Sequence, residues 1–155
     1  MARLRPAVLS LGSNQGDRLG FLQLAVDVLQ PHAISSVWQT APWGGVEQDD
    51  FLNAVVLCAF DATAAWERAQ EAEVRAGRVR DVRWGPRTLD VDVVLADPPV
   101  PAGLLLPHPR AQERAFVLAP WLELDPAARL PQGAVADLLA ALPEDVTRRP
   151  DLVLR

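Results

Sequence analysis

Asp90 and Asp92 are separated by a single valine in "RWGPRTLDVDVVL", residues 83–95. From Thr88 to Leu95 the residues alternate with the period of a strand. Leu89, Val91 and Val93 then share one face, and Thr88, Asp90, Asp92 and Val94 share the other. Residues i and i+2 on a strand lie about 6.6–6.8 Å apart at Cα and point the same way. Two carboxylates so placed can bridge metal ions about 3.5–4 Å apart. Oxygen-only ligation suits Mg²⁺, which keeps waters and favours sites completed by substrate phosphates. A bare D-x-D is also what the solvated face of an ordinary strand looks like. The preceding chain tips the balance. Arg78, Arg80, Arg83 and Arg87 run into the strand with only Asp81 opposing them. Carboxylates that bind cations, beside guanidiniums that bind anions, meet the needs of a Mg²⁺-nucleotide polyphosphate.

Composition narrows the chemistry further. All 15 basic residues are arginine. Without lysine there is no Walker-type phosphate loop and no Schiff base through a side chain. Phosphate must be held by arginines or backbone amides. The net charge of -5 argues against broad nucleic-acid binding, and no nucleic-acid partner is expected. The one cysteine, Cys58, lies in the apolar run "NAVVLCAF" and reads as core. No apolar run approaches the roughly 18 residues that span a bilayer, and "MARLRPAVLSLGSN" does not read as a signal peptide. The expected compartment is the cytoplasm.

Two histidines are present. His32 follows Pro31 at a predicted helix end, which suits a dipole role or plain surface. His108 stands between two prolines in "PHPRAQER", near Arg110 and Arg114. That rigid, basic turn suits a phosphate contact as well as it suits an ordinary surface turn. Without a Cys/His cluster zinc is not expected. "GSNQGD", residues 12–17, has the wrong spacing for a dinucleotide fingerprint and reads as a strand-to-helix turn.

These side chains need a frame. "AVLSLG", 7–12, reads as a strand, and Asp17 caps a helix over 18–29 that Pro31 stops. "ISSVWQT", 34–40, is a second strand and "FLNAVVLCAF", 51–60, a third. Asp61 caps a helix over 62–75 with Ala65, Ala69 and Ala72 in one stripe. A loop over 76–87 leads to the aspartate-bearing strand. The order β-α-β-β-α-β predicts an α+β, ferredoxin-like antiparallel sheet, with two helices on one face and the other face free. Extended chain and a helix follow over 104–124, and a short helix over 134–142. No linker divides the chain, so residues 1–155 are expected to form a single domain.

Together, "LSLGSNQGDR", "TAPWGGVEQDDFLNAVV", "GRVRDVRWGPRTLDVDVVL" and "LPHPRAQERAFVLAPWLEL" resemble the 6-hydroxymethyl-7,8-dihydropterin pyrophosphokinases of folate biosynthesis, from about residue 7 to residue 130. The resemblance implies transfer of pyrophosphate from ATP, the co-substrate, to the pterin hydroxymethyl group with two Mg²⁺ ions. Asp90 and Asp92 match the aspartates that hold both ions. Gln70, Glu73, Arg78, Arg80, Trp84, Arg87, His108 and Arg114 match nucleotide-binding or catalytic positions. Of these, Arg78, Arg80, Arg87 and His108 join the two aspartates as the expected catalytic set. Thr40, Trp43, Phe51, Asn53, Phe116 and Asp90 match the pterin pocket. Phe51 and Phe116 also suit the two faces of a heteroaromatic ring, and Asn53 offers both donor and acceptor to its edge.

The match has departures. Phe51 stands where some members carry tyrosine, and the loop between Arg80 and Trp84 is about one residue shorter than in some. The C-terminal 25 residues match weakly and receive no site. A monomer is expected, with association with other folate enzymes left open. The alternative of another class is a ferredoxin-like regulatory module that binds a small ligand without turnover. Such a module has no use for the aspartate pair and the arginine loop.

Overall fold

The computed structural model describes residues 5–41, 49–77, 88–143 and 146–155. Strand β1 (Ala7–Ser13) is buried along its whole length. Helix α1 (Arg18–Leu29) starts where Asp17 Oδ1 accepts the Gly20 N–H at 3.0 Å, and ends at Gln30, in the left-handed region at φ 47°, just before Pro31. The short strands β2 (Ala33–Ile34) and β3 (Trp38–Thr40) lead to β4 (Phe51–Cys58). Helix α2 (Ala62–Arg75) is capped by Asp61 Oδ1, which accepts the Ala64 N–H at 2.9 Å. Strand β5 (Asp90–Leu95) carries both aspartates. Both caps satisfy amide donors that a helix start leaves open.

The chain continues through one 3₁₀ turn (Ala111–Glu113) into α3 (Ala115–Leu124). A two-residue hairpin, β6 (Arg129–Leu130) with β7 (Gly133–Ala134), precedes α4 (Val135–Ala140) and the terminal strand β8 (Thr147–Arg148). The main sheet runs β5-β1-β4-β3-β8, and β2 also pairs with β4. All its pairings are antiparallel. The architecture is α+β.

The period-two pattern splits the sheet into two faces. Leu9, Leu11, Val56, Val91 and Val93 pack on one side with Leu22, Val26 and Leu29 of α1 and Ala65, Ala69 and Ala72 of α2. Val8, Val55 and Val94 pack on the other side with Val117, Leu118 and Trp121 of α3. The expectation of a free second face is therefore corrected. Three valines on that face would expose apolar surface, and α3 covers them. Full burial of a side chain such as Leu118 contributes about 1.5–3 kcal/mol.

The predicted strand over 34–40 is also corrected, because it breaks into β2 and β3. At the break Ser35 bonds Val55 twice: its N–H donates to the Val55 carbonyl and its Oγ accepts the Val55 N–H, both at 2.9 Å. Ser36 turns to α3, where its N–H and Oγ each donate to Glu123 Oε2 at 2.9 Å. Local serine bonds thus replace the backbone ladder. The third strand stops at Cys58, two residues short of the prediction, and the fourth begins at Asp90, two residues late. Cys58 is core as expected, and burial pushes its thiol up to about 12. Among the described residues no helix is long and apolar enough to cross a membrane.

Candidate active site

Sheet register brings the chemistry together. Gly12 on β1 lies opposite Asp90 on β5 and opposite Asn53 on β4, and Asn53 lies opposite Trp38 on β3. Asp90, Gly12, Asn53 and Trp38 therefore form one row across four strands, with side chains on the face that α3 partly covers. The next row carries Asp92 and Ser10 opposite Val55. Directly opposed residues hold their Cβ atoms about 4.5–5.5 Å apart. Residues 53 and 90, far apart in sequence, are thus separated by one strand that presents only a glycine. A Cβ at Gly12 would lie 3.3 Å from Asn53 Oδ1 and 3.6 Å from Phe51 Cδ1. Even alanine there would crowd the Asn53 amide oxygen, while meeting Phe51 at ordinary contact distance. The sequence reading missed Gly12 as a site residue. Its signal was the run Val8, Ser10, Gly12, which shrinks along one face of β1 towards the polar end.

Four expected pterin residues, Thr40, Phe51, Asn53 and Asp90, meet at this end of the sheet. Thr40 pairs with Phe51 across β3 and β4, and Asn53 Nδ2 donates to Thr40 Oγ1 at 2.8 Å. Asn53 is 2% exposed, so this bond sets the orientation of its amide. Phe51 and Phe116 are both half-buried. Asp90 closes the row from the other side.

Arg114 and His108 gather around Asp92. Arg114 Nη1 lies 3.4 Å from Asp92 Oδ2, and the Arg114 guanidinium carbon sits 5.5 Å from the centre of the Phe116 ring. One arginine immediately before α3 thus touches both the Asp92 carboxylate and the Phe116 ring. His108 is seated on the outer side of β5 by its own N–H, which donates to the Val94 carbonyl at 2.8 Å. Its Nδ1 accepts the Arg110 N–H at 3.1 Å, so a neutral imidazole carries its proton on Nε2. Burial holds the imidazolium below the ordinary histidine range; Arg114 and Arg110 act the same way, and Asp92 opposes them. His108 is therefore a neutral Nε2–H donor at neutral pH.

Glu73 and Gln70 occupy a different position. Glu73 is 8% exposed, and its Oε2 accepts the Val91 N–H at 2.9 Å, at the peptide between the two aspartates. Among the described residues strand β5 is the edge of the sheet, and Glu73 satisfies one of its outward donors while His108 takes an outward acceptor. Gln70 lies exposed on α2, nearly one turn before Glu73. Trp43, Arg78, Arg80, Trp84 and Arg87 lie outside the described residues.

The donor set fits Mg²⁺. Asp90 and Asp92 supply oxygen only, share one face, and are neither fully buried nor fully exposed. Among the described residues no cluster of three or more histidine, cysteine, aspartate or glutamate side chains is formed. Two carboxylates completed by water and phosphate oxygens match the coordination that Mg²⁺ prefers.

The profile of the 7,8-dihydro-6-hydroxymethylpterin-pyrophosphokinase (HPPK) family matches residues 8–126. The chain is 52% identical over 140 residues to the 2-amino-4-hydroxy-6-hydroxymethyldihydropteridine pyrophosphokinase of Mycobacterium leprae (strain TN), covering 79% of this chain and 73% of that one. It is 48% identical over 158 residues to the enzyme of the same name from Mycobacterium bovis, covering 91% and 80%. To that of Bacillus subtilis (strain 168) it is 41% identical over 128 residues, covering 76% and 77%. A regulatory module without turnover is set aside by these matches. The activity is ATP-dependent transfer of pyrophosphate to 6-hydroxymethyl-7,8-dihydropterin, in folate biosynthesis. With the aspartate pair, Asn53 and Phe116 gathered on one sheet face, the chain belongs to the 7,8-dihydro-6-hydroxymethylpterin-pyrophosphokinase family.

Proposed function

We propose that the pterin binds over the row Asp90–Gly12–Asn53, and that the ATP polyphosphate binds beside it, along Asp90, Asp92, His108 and Arg114. The observation that carries this reading is the row itself. It sets a buried amide beside a carboxylate across a strand that offers no side chain. Asn53 and Thr40 supply hydrogen bonds to the ring edge, Phe51 and Phe116 supply apolar contact to its faces, and Trp43 joins the pocket by resemblance to the family. Gln70, Glu73, Arg78, Arg80, Trp84 and Arg87 complete the nucleotide side by resemblance to the family. The fold is ferredoxin-like; the sheet order β5-β1-β4-β3 supports this, because the last strand of the β-α-β-β-α-β unit lies beside the first. The protein acts as a cytoplasmic monomer of one domain, residues 1–155, without a nucleic-acid partner.

The reaction joins the pterin hydroxymethyl oxygen to the β-phosphorus of ATP. It breaks the bond from that phosphorus to the α–β bridging oxygen, which leaves with AMP. Two Mg²⁺ ions held by Asp90 and Asp92 would neutralise polyphosphate charge and lower the pKa of the attacking hydroxyl. The chain's own task is placement. Asn53 and Phe116 hold the pterin, so that its hydroxymethyl group lies near Asp90. Arg114 pairs with charge on the phosphates, and His108 Nε2–H donates to a phosphate oxygen without adding charge.

Calorimetric titration tests the arrangement, with the pterin and with a non-hydrolysable ATP analogue plus Mg²⁺ measured separately. Asn53→Ala should lose pterin binding and keep nucleotide binding, and Asp92→Ala should do the reverse. Unchanged binding of both ligands in both variants would remove the row from the site.

A further inference from the structure

The family profile ends at residue 126, yet the last ten residues are tied firmly into the sheet. Strand β8 pairs with β3, placing Arg148 opposite Trp38 and Thr147 opposite Gln39. Arg149 N–H donates to the Val37 carbonyl at 2.8 Å. Leu152 and Leu154 pack against the core under α1, and Arg155 exchanges two hydrogen bonds with Gln23 on α1, at 2.9 and 2.7 Å. These contacts make the segment a strap across the open edge of β3.

The strap reaches the pterin end of the site through a side-chain relay. Arg149 Nη1 donates to Gln39 Oε1, and Gln39 Nε2 donates to Asp50 Oδ2 at 2.9 Å. The Asp50 carbonyl in turn accepts from Arg18 Nη1 at 2.9 Å. On the other side, Asp151 grips Arg149 with both oxygens, at 3.0 and 2.9 Å. Gln39 and Asp50 each precede a residue of the proposed pterin floor: Thr40 follows Gln39, and Phe51 follows Asp50. Successive strand side chains point to opposite faces. A relay that fixes Gln39 and Asp50 below the sheet therefore fixes Thr40 and Phe51 above it.

We infer that Arg149 is a positioning residue for the pterin half of the reaction, acting through Gln39 and Asp50 on Thr40 and Phe51. The inference rests on the pterin-floor reading given above. Arg149 touches no substrate. It holds two neighbouring strands at the spacing that aims the Thr40 hydroxyl at Asn53 and presents the Phe51 ring. The planar, forked guanidinium is needed, because it bonds Asp151 and Gln39 at once.

A double-mutant cycle with separate ligands tests this. Arg149→Ala should weaken pterin binding and raise the pterin KM by about threefold to thirtyfold, the range for residues that act through a packed network. Affinity for the ATP analogue with Mg²⁺ and kcat at saturating pterin should stay within about twofold of wild type. Asp50→Ala, which removes the oxygen that accepts from Gln39, should give a similar pterin defect, and the Arg149→Ala/Asp50→Ala double variant should be no worse than either single change. Arg149→Lys should recover only part of the loss. Equal losses for both ligands, or additive losses in the double variant, would reduce Arg149 to a general structural contact and overturn the inference. If Arg149→Ala fails to fold, Asp151→Asn, which loosens the grip but keeps the arginine, should still raise the pterin KM selectively; an unchanged KM there also overturns it. Failure of wild type to bind pterin, or an Asn53→Ala variant that binds normally, would instead strike the pterin-floor reading.

Discussion

Arg114 Nη1 stands 3.4 Å from Asp92 Oδ2, with Asp92 41% and Arg114 20% exposed at the side chain. The pair is partly screened by water, so its attraction adds little to folding. Its value lies in availability. The guanidinium is already held beside the carboxylate that a cation would claim, and can turn to the phosphates that arrive with the cation. Asp92→Ala should leave the far-ultraviolet circular dichroism spectrum unchanged and reduce AMP formation by more than about 10³-fold. Arg114→Ala should cost about 10²- to 10³-fold, the scale of one lost charge-stabilising donor. AMP production near wild-type rate by a folded Asp92→Ala protein would end the metal reading of this strand.

Phe116 is half-buried, with one side of its ring facing Arg114 at 5.5 Å. Phe116→Ala should weaken pterin binding by about 1–2 kcal/mol, roughly fivefold to thirtyfold. Nucleotide affinity should change far less. Phe116→Leu, which keeps apolar volume without a flat face, separates stacking from packing: a stacking ring predicts that leucine rescues stability and leaves the pterin defect.

Glu73 and the Val91 N–H make a carboxylate-to-backbone bond of 2.9 Å behind the aspartates. Removing a buried acceptor strands its donor, at a cost of about 1–3 kcal/mol. Glu73→Ala should lower stability by that amount and speed hydrogen exchange at the Val91 amide. Glu73→Gln keeps an acceptor oxygen and should recover much of both. Strong Val91 protection in Glu73→Ala would mean that another group closes the edge of β5.

Cys58 is 1% exposed, and burial raises its thiol pKa from 9.0 to about 12. In the unfolded chain the thiol ionises above about pH 9, while in the folded protein it stays protonated to about pH 12. The folded state therefore binds the extra proton in that window, and the contribution of Cys58 to stability, full below pH 9, falls as pH rises towards 12. Cys58→Ala should flatten that alkaline decline in denaturant unfolding. Native protein at pH 8 should react with a thiol reagent only at the rate at which it opens.

Much of this was legible in the chain. The alternation from Leu89 to Val94 predicted which residues of β5 turn inward, because a strand's period leaves no other way to bury three apolar side chains together. Asp17, Asp61 and Pro31 marked helix ends, and α1 and α2 span the predicted residues, since caps and stops act over a few residues. The likeness of four segments to one family predicted the activity. Register was not legible. That Gly12 stands between Asp90 and Asn53 depends on pairing strands about 40 residues apart on one side and nearly 80 on the other, and a slip of one residue would have turned every side chain to the other face. Nor did Glu73 declare itself as the partner of a backbone amide, since a carboxylate on a helix looks the same whether it meets water, nucleotide or a strand edge. The break at Ser35 and the helix over the second face came from long-range contacts of Val55 and Glu123. The terminal strap came from the open edge of β3, a feature that exists only once the sheet is built. Local pattern decides which way a side chain points and where a helix stops; only the assembled sheet decides what it points at, because the partner comes from elsewhere in the chain.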